Sequence, residues 1–225
     1  MKTIIQDTRE KEHFRLDRTD YFITQGYRVE LQKLEIGDYA IKGKLNRVVD
    51  YKMSIQEMIG NIQESTLSKT KVGNVVKKMC ENYDVPSHVA GMIYELIIAD
   101  DLEIDIEPML YEIGENAGLE PMQCRYLINL YRAYRTRLHR LLVKAKRQGV
   151  KLYFLVANDD GVIDLESLKK WKNPRIRYSP RAMTGKTLAK AMETMESKYF
   201  CKFLFCKPEE QGEQILRLLE GADEN

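Results

Sequence analysis

The sequence predicts an α/β core interrupted by an all-helical insertion, and three observations lead there. Strand-like and helix-like patterns alternate through residues 1–65 and again through 135–225. Between them, residues 66–134 show helical periodicity alone, punctuated by Pro86, Pro108, Gly118 and Pro121. The chain has 225 residues, 44% of them hydrophobic, which is enough for a substantial core at roughly 150 residues per domain.

Each element follows from local pattern. Residues 3–6 form a short apolar strand, and 19–25 a helix that stops at Gly26, a natural C-terminal break. Residues 27–34 alternate as a half-buried strand does, with Val29, Leu31 and Lys33 on one face. Gly37 and Asp38 mark a turn into strand 39–41, and residues 43–46 connect it to a return strand that carries Val48, Val49, Asp50, Tyr51 and Lys52. A helix over 54–61 places Ile55, Met58, Ile59 and Ile62 on one side. Three or four helices make up the insertion. Beyond Gly149 come a strongly apolar strand at 151–156, a short helix at 164–171, a longer one at 184–198, a strand at 202–206 and a final amphipathic helix at 208–219. Pro208 opens that last helix, where its missing N–H does no harm. Met109, Met122, Met183, Met192 and Met195, at helical spacings, read as core fillers.

Composition narrows the function classes. No window approaches the roughly 18–20 uninterrupted apolar residues of a membrane span, and the N-terminus is too short for a signal-peptide core. A cytoplasmic protein without a membrane partner is expected. Four cysteines are too sparse for a disulfide framework, and Cys80 and Cys124 lack a second thiol or histidine at metal spacing. Cys201 and Cys206 flank a buried strand. His13, His88 and His139 are scattered. Gly185-Lys186-Thr187 lacks the glycine a phosphate-binding loop needs five positions earlier, where Pro180 stands, so no nucleotide cofactor is expected.

The 36 Lys and Arg almost balance the 34 Asp and Glu, but the signs segregate. Residues 94–120 hold nine acids and no base, 131–151 eight bases and no acid, and 167–190 again eight bases and no acid. Arg132, Arg135, Arg137, Arg140, Lys144, Lys146, Arg147 and Lys151 lie on or beside one helix and would form a track for DNA, since neutralising phosphates releases counterions. Lys169, Lys170, Lys172, Arg175, Arg177, Arg181, Lys186 and Lys190 would form a second contact. The acidic stretch is expected to face away from a polyanion, or to dock on a basic surface of another subunit.

The residues that carry chemistry are Asp38 and, after eleven intervening residues, Asp50-Tyr51-Lys52. A carboxylate at a turn and a hairpin returning with acid, any residue and lysine bring two carboxylates and an ammonium to one end of a sheet. Alternate residues of a strand share a face, so Asp50 and Lys52 point one way and Tyr51 the other. Asp38, Asp50 and the Tyr51 carbonyl would suit a hard cation, with Lys52 beside the water it activates or steadying a phosphate. With 31% charged residues, the same spacing also fits a plain surface salt bridge. Asp7-Thr8-Arg9-Glu10 follows the first strand, at the end where open α/β sheets collect ligands.

Taken together, Ile5-Gln6-Asp7-Thr8-Arg9-Glu10, Leu34-Glu35-Ile36-Gly37-Asp38-Tyr39 and Val48-Val49-Asp50-Tyr51-Lys52 resemble the nuclease domain of XPF-type structure-specific endonucleases. That family's pattern runs Asp-x-Arg-Glu, Gly-Asp, Glu-Arg-Lys on a restriction-endonuclease-like mixed sheet with flanking helices. Residues 151–158, 171–174 and 203–208 look similar to the compact bacterial and phage form. The resemblance covers about 1–65 and 135–221. It implies a Mg²⁺- or Mn²⁺-dependent DNA endonuclease acting near branches, flaps or junctions, in DNA repair or recombination, and leaves room for a homodimer. It also implies Asp38 and Asp50 as metal ligands, Asp7 as a further acid at the metal, Lys52 as the catalytic lysine, and Arg9 and Glu10 in the polar shell. Asp50 stands where the family has Glu, Tyr51 where it has Arg and Gln56 where Asp is frequent, which implies slower or more Mn²⁺-dependent catalysis. A non-catalytic DNA-binding scaffold subunit and an RNA nuclease are the competing readings.

Overall fold

The computed structural model describes residues 1–10, 12–63, 67–99 and 104–221, the side chains of 12–15 excepted. The sequence-predicted boundary between 65 and 66, residues 100–103 of the acidic stretch and the side chain of His13 lie outside the described residues. In chain order the elements are β1 (Thr3–Gln6), α1 (Glu12–Thr24), β2 (Arg28–Leu31), β3 (Tyr39–Ile41), β4 (Lys44–Lys52), α2 (Ile55–Ile62), α3 (Lys69–Asn82), α4 (Ser87–Ile98), α5 (Ile106–Asn116), α6 (Pro121–Tyr134), α7 (Arg137–Arg147), β5 (Lys151–Ala157), α8 (Leu165–Lys170), α9 (Gly185–Lys198), β6 (Cys201–Cys206) and α10 (Gln211–Glu220). Two compact units divide the chain: residues 1–60 with 141–225, and residues 61–140. Among the described residues no helix is long and apolar enough to cross a membrane.

The first unit is an α/β fold around one mixed six-stranded sheet in the order β2-β1-β3-β4-β5-β6. β1 pairs parallel with β2 and antiparallel with β3, β3 antiparallel with β4, and β4, β5 and β6 run parallel. β5 is buried along nearly its whole length, as a central parallel strand covered on both faces must be. On one face α1 and α10 pack over Ile4, Tyr39, Ile41, Val49, Tyr51, Tyr153 and Leu155. The alternate residues of β4 and β5 turn to the other face, where the Phe154 and Phe203 rings stack with centroids 4.9 Å apart and α9 packs on β6.

The structure departs from expectation in α1, which starts at Glu12 and not near residue 19. Its inner face carries Arg18, 2% exposed, one turn before Phe22. A guanidinium at a core position erases the apolar periodicity that marks a helix. β2 is shorter than expected and lies at the sheet's edge, which leaves Leu31 53% exposed. Gly185 opens α9 as a packing residue: a Cβ there would come within 2.1 Å of the Leu168 carbonyl oxygen.

The second unit is helical, with a core of Val72, Val76, Ile93, Ile97, Leu110 and Leu127 among others. Gly114 lets α5 and α6 meet closely, since a Cβ there would lie 2.7 Å from Cys124 Sγ. Met122 corrects the core-filler reading: it is 76% exposed.

The Gly-Asp turn before β3 has a steric origin. Gly37 has φ +67, and a Cβ would fall 2.3 Å from Val48 Cγ1 and 2.9 Å from the Val49 carbonyl oxygen. Only glycine lets the chain hug β4 tightly enough for the Asp38 N–H to bond that same oxygen at 2.8 Å. Gly37→Ala is therefore expected to lose about 2–4 kcal/mol in urea unfolding, from left-handed strain and overpacking. A loss under half of the lower figure would mean that the turn relaxes freely.

Candidate active site

Three side chains meet at one end of the sheet. Asp38 stands just before β3, and Asp50 and Lys52 lie at the C-terminal end of the antiparallel neighbour β4. Period-two alternation sends Asp50 and Lys52 to the same face, with Lys52 Nζ 2.5 Å from Asp50 Oδ1, while Tyr51 points into the α1/α10 layer. The Tyr51 N–H still reaches back and donates to Asp38 Oδ2 at 2.8 Å. Because a strand residue presents its N–H and C=O at the same edge, the Tyr51 carbonyl also faces the β3 side, beyond the last rung to Asp38.

Charge is concentrated here in a poorly exposed place. Asp50 is 7% exposed. Burial, reinforced by the Asp50 charge, pushes the Asp38 carboxyl well above the usual carboxylate range, against the pull of Lys52 and the Tyr51 N–H. Burial also works to discharge Lys52, but the carboxylates of Asp50 and Asp38 outweigh it and hold the ammonium above its ordinary pKa. The buried Asp50 Oδ1 meets the Lys52 ammonium at 2.5 Å. Two mutually repelling carboxylates and a carbonyl on the same edge form a donor set that fits a hard divalent cation.

Asp7 does not join that pair. Among the described residues no group of three or more His, Cys, Asp or Glu side chains converges as a metal cage. The Asp7 carboxylate, 0% exposed, accepts from the Arg9 N–H at 2.7 Å, Arg9 Nε at 2.8 Å, Arg9 Nη2 at 2.7 Å and the Leu34 N–H at 2.7 Å. Four donors occupy its lone pairs in this arrangement. Burial raises its pKa, but the Arg9 and Leu34 bonds prevail and hold it below the usual range. Asp7 thereby fixes Arg9, whose Nη2 also donates to the Leu34 carbonyl and whose charge feels Asp38 and Asp50.

Among the basic candidates, the first stretch is largely engaged. Arg132 forks onto Glu107 with bonds of 2.9 and 2.6 Å, and Arg140 lies 4.0 Å from the same carboxylate. Arg135 donates to the Ile98 and Ala99 carbonyls at the end of α4. Arg137, Arg147 and Lys151 are partnered too. Lys144 pairs with Glu35 at 2.7 Å, and Lys146 donates to the Lys198 carbonyl at 2.8 Å. Glu107 thus neutralises part of the chain's own basic stretch, which is split between α6 and α7, and an unbroken DNA track along it is not what the fold presents. In contrast, Lys170, Lys172, Arg175, Arg177 and Arg181 are exposed, without a salt bridge among the described residues. Their loop is anchored by the buried Asn173, which caps the 3-10 turn Pro174–Arg177, donates to the Met183 carbonyl at 2.8 Å and accepts from Gln56 Nε2 of α2 at 2.7 Å. Trp171 is half-buried, and its N–H donates to Asp160 at 2.9 Å.

Sequence reasoning missed the layer beneath the site. Glu10 accepts from Arg18 and from the Tyr39 hydroxyl. Arg18 Nε also donates to the Tyr39 oxygen at 2.6 Å and Nη1 to Gln211 at 2.6 Å, while its guanidinium carbon sits 4.3 Å from the Tyr51 ring centroid. This buried network ties α1, β3, β4 and α10 together behind Asp38 and Asp50. Removing only the cation strands Glu10, so Arg18→Met is expected to destabilise the fold by about 3–5 kcal/mol in urea unfolding. Adding Glu10→Gln to it should recover part of that loss. A double variant no better than Arg18→Met alone would deny the charge coupling.

No family model matches the chain, and no curated protein does. Among solved structures the chain is similar to XPF from Aeropyrum pernix, at 12% identity and a TM-score of 0.44, over 99% of this chain. It spans 66% of the length of that one.

Proposed function

We propose that the protein is a divalent-metal-dependent endonuclease that hydrolyses DNA phosphodiester bonds, with branched, flap or junction DNA as its substrate. The observation that carries this reading is the juxtaposition of Asp38 and Asp50 with Lys52. A structural ion pair would have no use for a second carboxylate pressed against the first. The resemblance of the acidic motif series to that of XPF-type nucleases supports the same chemistry.

Asp38, Asp50 and the Tyr51 carbonyl would hold Mg²⁺ or Mn²⁺. When bound, such an ion neutralises phosphate charge and lowers the pKa of a water. Lys52, kept as an ammonium by its two acidic neighbours, donates to a phosphate oxygen as charge builds there. The guanidinium of Arg9, locked by Asp7 and half-exposed, offers a second cation on the solvent side. The free cations from Lys170 to Arg181 supply the phosphate contacts that hold the duplex, their loop being pinned through Asn173 and Gln56 to the helix that leaves β4.

A cleavage panel of flap, fork, bubble and plain duplex DNA with Mg²⁺ or Mn²⁺ tests this. Asp50→Asn is expected to lower cleavage by on the order of 10³-fold or more, Lys52→Ala by about 10²–10³-fold, and excess EDTA to abolish it, with DNA binding retained. Undiminished cutting by Asp50→Asn, or in EDTA, would remove the proposed mechanism.

A further inference from the structure

The helical unit carries a cleft that the nuclease reading does not use. It lies between α3 and α6, has a volume of about 810 Å³, and is lined by Val75, Met79, Tyr83 and Lys78 from one side and by Met122, Arg125, Tyr126 and Asn129 from the other. Val75 and Met79 give an apolar floor. Tyr83 and Tyr126 are each 49% exposed and Met122 76%, so three large side chains stand at the rim where a folded core would have drawn them in. Tyr83 holds its place because the chain turns sharply after α3: its N–H and that of Val85 both bond the Cys80 carbonyl, and Asp84 between them takes a left-handed φ of 52.

Charge selects the occupant. Residues 61–140 hold twelve acids against nine bases, yet the residues lining this cleft include Lys78 and Arg125 and no carboxylate. Neither cation has a salt bridge among the described residues. Glu81, on the same helix as Lys78, lines the opposite groove towards α4. Two exposed tyrosine faces, two free cations and the side-chain amides of Asn82 and Asn129 along one channel are what unstacked bases and their phosphates require. A duplex hides its base faces in the stack and gains nothing from the tyrosines.

We infer that the α3/α6 cleft binds single-stranded DNA, its bases stacking on Tyr83 and Tyr126 and its phosphates meeting Lys78 and Arg125. The choice of DNA rests on the proposed function above; the cleft chemistry itself does not. It gives the protein a place to hold an unpaired strand that is separate from the carboxylate site.

The test is fluorescence anisotropy with the full chain in EDTA, using a fluorescein-labelled fifteen-thymidine strand and, as control, a duplex of equal length. The wild type is expected to bind the strand, and Tyr83→Ala/Tyr126→Ala to weaken that binding about tenfold or more while leaving the duplex unchanged. Tyr83→Phe/Tyr126→Phe, which keeps the ring faces, should bind as the wild type does and excludes a folding defect. Strand binding untouched by the alanine pair, or duplex binding lost in equal measure, would overturn the inference. So would a wild type that ignores the strand but dimerises in sedimentation through these tyrosines, which would assign the cleft to a second copy. Cleavage by the same variants separates the two readings: an inactive nuclease with tyrosine-dependent strand binding refutes only the carboxylate site, and an active one with tyrosine-independent binding refutes only the cleft.

Discussion

Two carboxylates forced together in a poorly hydrated place must be held there by something, and the pairing of Asp38 with Asp50 sets the demands that the rest of the first unit meets. Each alone would be an ordinary acid at a strand's end. Together they repel, and burial adds to the penalty. Lys52 offsets part of this from the same face of β4, and the Tyr51 N–H anchors Asp38 from the other side of the strand. The balance left over favours another positive charge at this point.

The backbone explains why the repulsion does not simply push the pair apart. Gly37 brings the turn against β4, the Asp38 N–H is fixed to the Val49 carbonyl, and the Asp38 carbonyl in turn accepts from the Asp7 N–H. Behind them, Arg18 braces Glu10, Tyr39 and Tyr51 in a buried polar layer that reaches α10 through Gln211. Asp7 belongs to this supporting structure, with its oxygens filled by Arg9 and Leu34. The site is therefore two acids and an amine on a rigid frame, with the third acid of the motif series serving the frame.

Much of this was legible in the sequence, and the reason is short-range geometry. Strand alternation alone places Asp50 and Lys52 on one face and Tyr51 on the other, and a Gly-Asp turn before a short strand places Asp38 beside them. The order of helices and strands could be read because β5 is an unbroken apolar run and the apolar periodicities of α9 and α10 are clear. What escaped reading depended on long-range pairing. Arg18 looks like a surface residue until Glu10, Tyr39 and Gln211 surround it. Arg132 and Glu107 stand 25 residues apart and cancel one another across two helices, so a basic run that looks continuous on paper is broken in space. Met122 carries the same warning for apolar residues, since helical spacing says which face a side chain shares and not whether anything covers that face.

Calorimetric titration of Mn²⁺ into the wild type, Asp38→Asn and Asp50→Asn measures the shared ion without relying on catalysis. The wild type should bind the ion, and each amide substitution should weaken that binding severely, because removing either carboxylate takes away half the charge that attracts it. Equal binding by all three proteins, or none by the wild type, would contradict a cation held between these two acids.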